Sequence, residues 1–136
     1  MAQILQEYEG RVRLIFKDRP LPMHTLARPA HEAARCAGAV GKYWPYHDRL
    51  FEGQPAFRRP DLLRYAAEVG LDRDEFTRCL DERRFAPDVE RDIAQAQALG
   101  INSTPTFLVN DQLVVGATTT EEFRAIIEAA LKKTRR

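Results

Sequence analysis

The loop Ser103-Thr104-Pro105 is the stretch of this 136-residue sequence whose residue types point most directly to chemistry. Pro105 has no backbone N–H, so it belongs at the first residue of a strand or at a sheet edge. The bond before a proline is also the kind of peptide bond that takes the cis form cheaply, at about 0.5–1 kcal/mol. The sequence therefore places a conformationally special residue where a polar loop meets an apolar run.

Two cysteines, Cys36 and Cys79, are the other candidates for chemistry, and they lie 43 positions apart. This spacing fits neither a zinc knuckle nor a redox dithiol in a tight loop, and the sequence contains no Cys-x-x-Cys. The histidines His24, His31 and His47 lack metal-site spacing and an accompanying carboxylate cluster. We therefore predict no catalytic residue, no metal site and no cofactor in this chain.

Composition limits the classes of function. With 44% hydrophobic and 30% charged residues, the chain reads as one globular protein of ordinary size. The 21 Lys and Arg residues nearly balance the 20 Asp and Glu residues. This near-zero net charge argues against a nucleic-acid-binding surface. No apolar run approaches the roughly 18–20 residues that span a bilayer, and residues 1–7 lack the pattern of a signal peptide. The basic residues 132–136 are interpreted as a solvated helix end.

The spacing of apolar residues and the positions of residues that end helices or form turns predict an order of elements. Ile4, Leu5 and Tyr8 predict a short helix that ends at Gly10, and residues 11–17 alternate as a strand. Residues 29–99 read as five helices, with a capping box at 72–75 and a stop at Gly100. Residues 106–109 and 113–115 flank the turn Asn110-Asp111, which favours a hairpin, and a last helix follows Thr119. Four aromatic residues are expected in the core of the helical part: Tyr43, Trp44, Tyr46 and Phe51.

Several strings, taken in this order, resemble the DsbA-like branch of the thioredoxin superfamily, and together they cover nearly the whole chain. They are Phe16 to Pro22, Glu32 to Ala37, Lys42 to Phe51, Gly70 to Leu80 and Gly100 to Phe107. The resemblance implies an α/β, thioredoxin-like fold with an inserted α-helical domain. Residues 1–28 and 100–136 would form a truncated thioredoxin-like core, and residues 29–99 the inserted helical domain.

The departure from the family lies at the front of the chain. Family members begin with a central strand and a helix whose N-terminus carries Cys-x-x-Cys, and neither has a counterpart here. The family's mechanism needs a thiolate activated at that helix end. We therefore expect a member of the thiol–disulfide oxidoreductase family that is redox-inactive as this chain, and whether it is an enzyme stays open. The alternatives are a peptide-binding or dimerisation module and, more weakly, a glutathione-handling relative.

The missing first strand would leave two unpaired strand edges, which invite pairing with another chain. Direct closure of the gap, a strand from a second copy and a sheet rebuilt across a dimer are three ways to satisfy them. We expect a homodimer through these edges.

The resemblance also assigns residues and compartment. It implies a cis bond before Pro105 and an extended peptide or protein substrate bound by Ser103, Thr104 and Pro105. It implies a disulfide between Cys36 and Cys79, with two buried thiols as the alternative. Family members are usually periplasmic or secreted, but the chain shows no export signal, so its compartment is left unassigned.

Overall fold

The structure, a computed structural model, describes residues 1–134. Arg135 and Arg136, the last residues of the predicted basic tail, lie outside the described residues. Contacts group the chain into two units, one of Met1–Lys17 with the chain from Ile101 onwards and one of Asp18–Gly100. Residues 1–28, the first part of the core predicted from the sequence, extend past this first boundary. No helix within the described residues is both long and apolar enough to cross a bilayer.

The first unit contains two helices and a β-hairpin. Its elements are α1 (Ala2–Glu7), β1 (Thr106–Val109), β2 (Gln112–Val115) and α7 (Thr120–Thr134). The hairpin is antiparallel, with Leu108 opposite Leu113, and Asn110 takes the positive φ that its turn requires. One face of the hairpin packs against a small core that α1 and α7 share: Ile4, Tyr8, Phe123 and Ile127.

Polar contacts fasten α1 to α7 over this core. The Tyr8 hydroxyl donates to Glu128 at 2.9 Å, and the Arg124 guanidinium donates to both oxygens of Glu7 at 2.8 and 2.9 Å. At the start of α7 the Glu122 backbone N–H donates to the Thr119 hydroxyl at 3.1 Å, as its capping pattern predicts. A short helix such as α1 is marginal alone, so α7 is what keeps it folded.

The predicted strand at residues 11–17 is wrong as a strand. The segment is extended, and its side chains alternate between half-buried and exposed, with Val12 packed on the core and Ile15 58% exposed. However, the sheet in residues 1–134 consists of β1 and β2 alone. A strand is defined by a hydrogen-bonded neighbour, and alternation of side chains reports only which face is buried.

The second unit is entirely helical. Its helices are α2 (Ala27–Gly38), α3 (Tyr43–Glu52), α4 (Arg59–Glu68), α5 (Arg73–Asp81) and α6 (Ala86–Ala98). Helix α2 is central, because it packs against each of the other four. Its buried face is built of small residues, with Ala33 and Ala37 fully buried, so that neighbouring helices approach closely.

The aromatic residues of α3 divide between core and surface. Tyr46 is fully buried, and its hydroxyl donates to the Leu62 carbonyl at 2.9 Å. The prediction of a core position is wrong for Trp44 and Phe51, which are 42% and 56% exposed. With 3.6 residues per turn, Trp44 and Phe51 share a stripe with His47 that faces away from the Tyr46 side of the helix.

Candidate functional site

The loop Ser103-Thr104-Pro105 lies directly before β1, and all three residues are exposed. The Thr104–Pro105 peptide bond is cis. The Pro105 carbonyl accepts a hydrogen bond from the Gly116 backbone N–H at 2.8 Å, and the Thr106 hydroxyl donates to the Ser103 carbonyl at 2.7 Å. These two bonds hold the end of the loop against the hairpin.

Thr104 is the residue of this loop whose main chain is left available. Neither its N–H nor its C=O forms a hydrogen bond within residues 1–134. In the same part of the chain β1 pairs with β2 on one side only, so its other edge carries no strand. An exposed residue with available N–H and C=O groups, leading into an open strand edge, can accept an extended peptide by strand addition.

Cys36 and Cys79 lie in the helical unit, where the structure joins them by a disulfide. Cys36 belongs to α2 and Cys79 to α5, with their Cα atoms 6.0 Å apart. Both residues are buried, at 5% and 3% exposure. Neither sits in the first turn of its helix, so neither would have the helix-end environment that lowers the pKa of a reactive thiol.

The helical unit holds a largely buried ionisable cluster, in which His31 joins three residues that the sequence did not mark as candidates: Asp18, Arg35 and Asp92. Asp18 is 2% exposed, and its carboxylate binds His31 Nδ1 at 2.8 Å and Arg35 Nε at 2.6 Å. Arg35 reaches further, to the Asp92 carboxylate at 2.7 Å. Asp92, 5% exposed, also accepts from the Asp18 backbone N–H at 2.9 Å.

Electrostatics favour the ionised forms of Asp18 and Arg35. Burial raises the pKa of Asp18, but the hydrogen bonds and charges of His31 and Arg35 outweigh burial, so this pKa lies below its ordinary value. Burial likewise lowers the pKa of Arg35, and Asp18 and Asp92 more than restore it. A carboxylate held this firmly does not serve as a proton donor near neutral pH, so the cluster is a tie between the start of the unit, α2 and α6.

A third buried carboxylate, Glu32, joins α2 to the chain after α5. It accepts from Arg83 Nη2 at 2.9 Å and from Arg28 Nε at 3.3 Å. No buried side-chain nitrogen or oxygen within residues 1–134 lacks a partner, and no group of His, Cys, Asp and Glu in that range could hold a metal ion. The sequence signal for these ties was weak, because only the Arg28–Glu32 pair has the spacing of helical neighbours.

The chain matches one protein family and a solved structure of the same kind. The family described as Thioredoxin matches residues 1–129. A solved thioredoxin-like oxidoreductase from Silicibacter pomeroyi DSS-3 is 33% identical and superimposes with a TM-score of 0.80, covering 96% of this chain and 75% of its own.

Two curated relatives are much longer than this chain. Disulfide bond formation protein D of Bacillus subtilis is 32% identical over 96 residues, which make up 66% of this chain and 43% of that protein. A Na⁺/H⁺ antiporter NhaA of Herminiimonas arsenicoxydans is 38% identical over 117 residues, 86% of this chain and 19% of the antiporter. The chain thus spans about a fifth of that antiporter. On the family match and the shared fold, this chain belongs to the thioredoxin family and has a DsbA-like thioredoxin fold.

Proposed function

We propose that this chain is a redox-inactive member of its family that binds extended peptides at Ser103-Thr104-Pro105. The observation that carries the first part is the cysteine arrangement. The sequence has two cysteines, and they are buried and bonded to each other across two helices. Thiol–disulfide exchange by the family's mechanism needs an accessible thiolate that attacks a substrate disulfide. Such a group is not supplied by this pair.

An insulin-reduction assay in the presence of dithiothreitol tests this part of the proposal. We expect the chain to accelerate insulin precipitation no more than its Cys36→Ala/Cys79→Ala variant does. Turnover by the unsubstituted chain that the double variant lacks would contradict redox inactivity and would assign the activity to these two sulfurs.

The peptide-binding part rests on the main chain of Thr104. Its N–H and C=O have no partner within residues 1–134, and Thr104 as a whole is exposed. The Pro105–Gly116 hydrogen bond holds the loop in place. A peptide in extended form would add two main-chain hydrogen bonds here. Neutral hydrogen bonds contribute about 0.5–1.5 kcal/mol each, so the expected affinity is modest unless side-chain contacts add to it.

A backbone-specific pair of variants tests peptide binding. Thr104→Pro removes the N–H, whereas Thr104→Ala keeps it and removes only the hydroxyl. In an NMR titration with unstructured peptides, we expect the amide signals of residues 103–107 to shift in the unsubstituted chain and in Thr104→Ala, but not in Thr104→Pro. Equal binding by both variants would mean that the main chain of Thr104 is not the recognition element.

A homodimer through strand edges is the third part of the proposed function. The edge of β1 that faces away from β2 has no strand partner in residues 1–134, and Leu108 on that strand is 52% exposed. Charged side chains on an edge strand oppose such pairing. We therefore expect Leu108→Lys to weaken association in sedimentation velocity at micromolar concentration, and Val115→Lys, on β2, to weaken it less. A clean monomer for the unsubstituted chain would contradict the dimer.

A second candidate function is a catalytic oxidoreductase of which this chain is a part. The match to disulfide bond formation protein D favours it, because the chain covers 43% of that protein. The match to a fifth of an antiporter favours instead a module attached to an ion transporter. Reading the coding sequence directly upstream separates them. An in-frame Cys-x-x-Cys supports the oxidoreductase, and predicted membrane spans support the attached module.

A further inference from the structure

A cavity of about 230 Å³ opens beside the Cys36–Cys79 disulfide in the helical unit. It lies between the end of α2, the turn before α5 and the first half of α5. Both cysteines line it, and its other apolar lining comes from Val40, Leu71 and Phe76. A small molecule in this cavity would lie beside the two bonded cysteines.

The rim of the cavity carries both signs of charge. Lys42 and Arg84 supply two cations, and Asp72 and Glu75 supply two carboxylates. Arg84 forms an ion pair with Glu82 at 3.1 Å. Asp72 caps α5, where its carboxylate accepts from the Glu75 backbone N–H at 2.9 Å. The Lys42 ammonium forms no ion pair within residues 1–134. The Glu75 carboxylate forms no ion pair there either, so these two opposite charges are the ones most available to a ligand.

We propose that this cavity is a binding site for a low-molecular-weight aminothiol, which reduces the Cys36–Cys79 disulfide. A thiol that carries an ammonium and a carboxylate matches a rim with both charges, and its sulfur enters the apolar floor. In the first step its thiolate attacks one cysteine sulfur, a mixed disulfide forms and the other cysteine leaves as a thiolate. A second thiol then attacks the mixed disulfide, so that two thiols become one small disulfide and the chain gains two cysteine thiols.

Size and charge both point to a small reductant. The two cysteines are only 5% and 3% exposed, so a thiol mounted on a folded protein cannot approach them, whereas a thiol the size of cysteine fits the cavity. A cation near the attacking sulfur favours its thiolate form, which is the nucleophile. Because the bond connects α2 to α5, its reduction would loosen the helical unit without any catalytic turnover.

The test is the rate at which L-cysteine reduces the disulfide in the folded chain. Samples are quenched with iodoacetamide, and the added mass counts free thiols. Val40→Trp fills the cavity and should slow reduction at least about tenfold, since access governs thiol–disulfide exchange. Lys42→Ala should slow it about threefold to tenfold by removing one charge near the thiolate. The matched control is Arg91→Ala, a side chain of α6 outside the cavity, which should leave the rate unchanged.

Reduction through global unfolding is the competing route, and it is distinguished by denaturant. Reduction in the cavity is first order in cysteine and changes little in low urea, whereas reduction of unfolded chains rises steeply with urea. Uncharged 2-mercaptoethanol should react more slowly than cysteine at equal thiolate concentration, because it lacks the ammonium and the carboxylate that match the charged rim. A steep urea dependence would overturn the proposal. Equal rates for Val40→Trp and the unsubstituted chain, with both proteins shown to be folded by circular dichroism, would also overturn it.

Discussion

Neutralising Asp18 is the sharpest test of what holds the helical unit together. In Asp18→Asn the side chain keeps its size but loses its charge, and one of its two acceptor oxygens becomes an NH₂ donor. The present oxygens bind His31 Nδ1 at 2.8 Å and Arg35 Nε at 2.6 Å. An asparagine can accept from one of these groups and must turn its own donor toward the other.

The expected loss of stability is large because the site is buried. The Asp18 side chain is 2% exposed and that of Arg35 27%, so solvent compensates little for the missing charge. Breaking a buried ion pair by removing one partner costs about 3–5 kcal/mol. Arg35 retains the Asp92 carboxylate at 2.7 Å, which places the expected loss at the lower end, about 3 kcal/mol.

Urea unfolding followed by tryptophan fluorescence measures this loss in the relevant unit, because the single tryptophan, Trp44, lies in α3. The control is Asp81→Asn, the same chemical change at an ion pair whose side chains are 55% and 54% exposed. It should cost less than about 1 kcal/mol. A loss for Asp18→Asn no greater than that of the control would refute the view that the cluster ties the unit together.

The same pair of proteins gives a pH dependence with a defined sign. The folded-state pKa of Asp18 lies below its unfolded value, so its ionised form stabilises the fold fully above about pH 4. That contribution disappears as the pH falls from there through the folded-state pKa. The stability difference between the unsubstituted chain and Asp18→Asn should therefore stay constant at higher pH and shrink in acid. A difference that stays constant in acid would assign the loss to packing rather than to charge.

The remaining predictions concern the disulfide, one glycine and the small core that α1 and α7 share. Removing the disulfide with Cys36→Ala/Cys79→Ala should cost about 4 kcal/mol in the chain-entropy model for a separation of 43 residues, measured by urea unfolding. Gly53→Ala would place a Cβ 2.2 Å from the buried Tyr65 hydroxyl and should lower stability by about 1–3 kcal/mol, seen as a lower Tm. Phe123→Ala, at a 7% exposed position, should cost about 3–5 kcal/mol and accelerate amide exchange in α7.

Elements with local signals were predictable from the sequence. The last helix begins where Thr119 caps it, and the hairpin turns at Asn110, because capping and turn chemistry act over three or four residues. Apolar spacing at 3.6 residues likewise placed the five helices of the second unit to within a few residues.

Features set by distant pairs were not predictable in the same way. Asp18 and Asp92 meet through Arg35, but they are 74 positions apart, and their burial becomes visible only when α2 and α6 are packed. In the sequence each reads as an ordinary surface charge, since charged residues are almost never fully buried unless paired. Burial of Trp44 and Phe51 also depends on how the helices pack. Their aromatic side chains predicted a core position, although the stripe that they occupy on α3 faces solvent.

The error at residues 11–17 and the proposal for the loop at Pro105 have one physical cause. Alternation correctly identified the inward side chain Val12, yet backbone N–H and C=O groups need a neighbouring strand, and the sheet in residues 1–134 has only β1 and β2. Residues 11–17 are extended but have no neighbouring strand. The same lack of a neighbour leaves one edge of β1 open and the main chain of Thr104 available. If a peptide or a second copy pairs with that edge, amide exchange should slow in β1 and leave α4 unchanged. Protection confined to the helical unit would place the binding surface elsewhere.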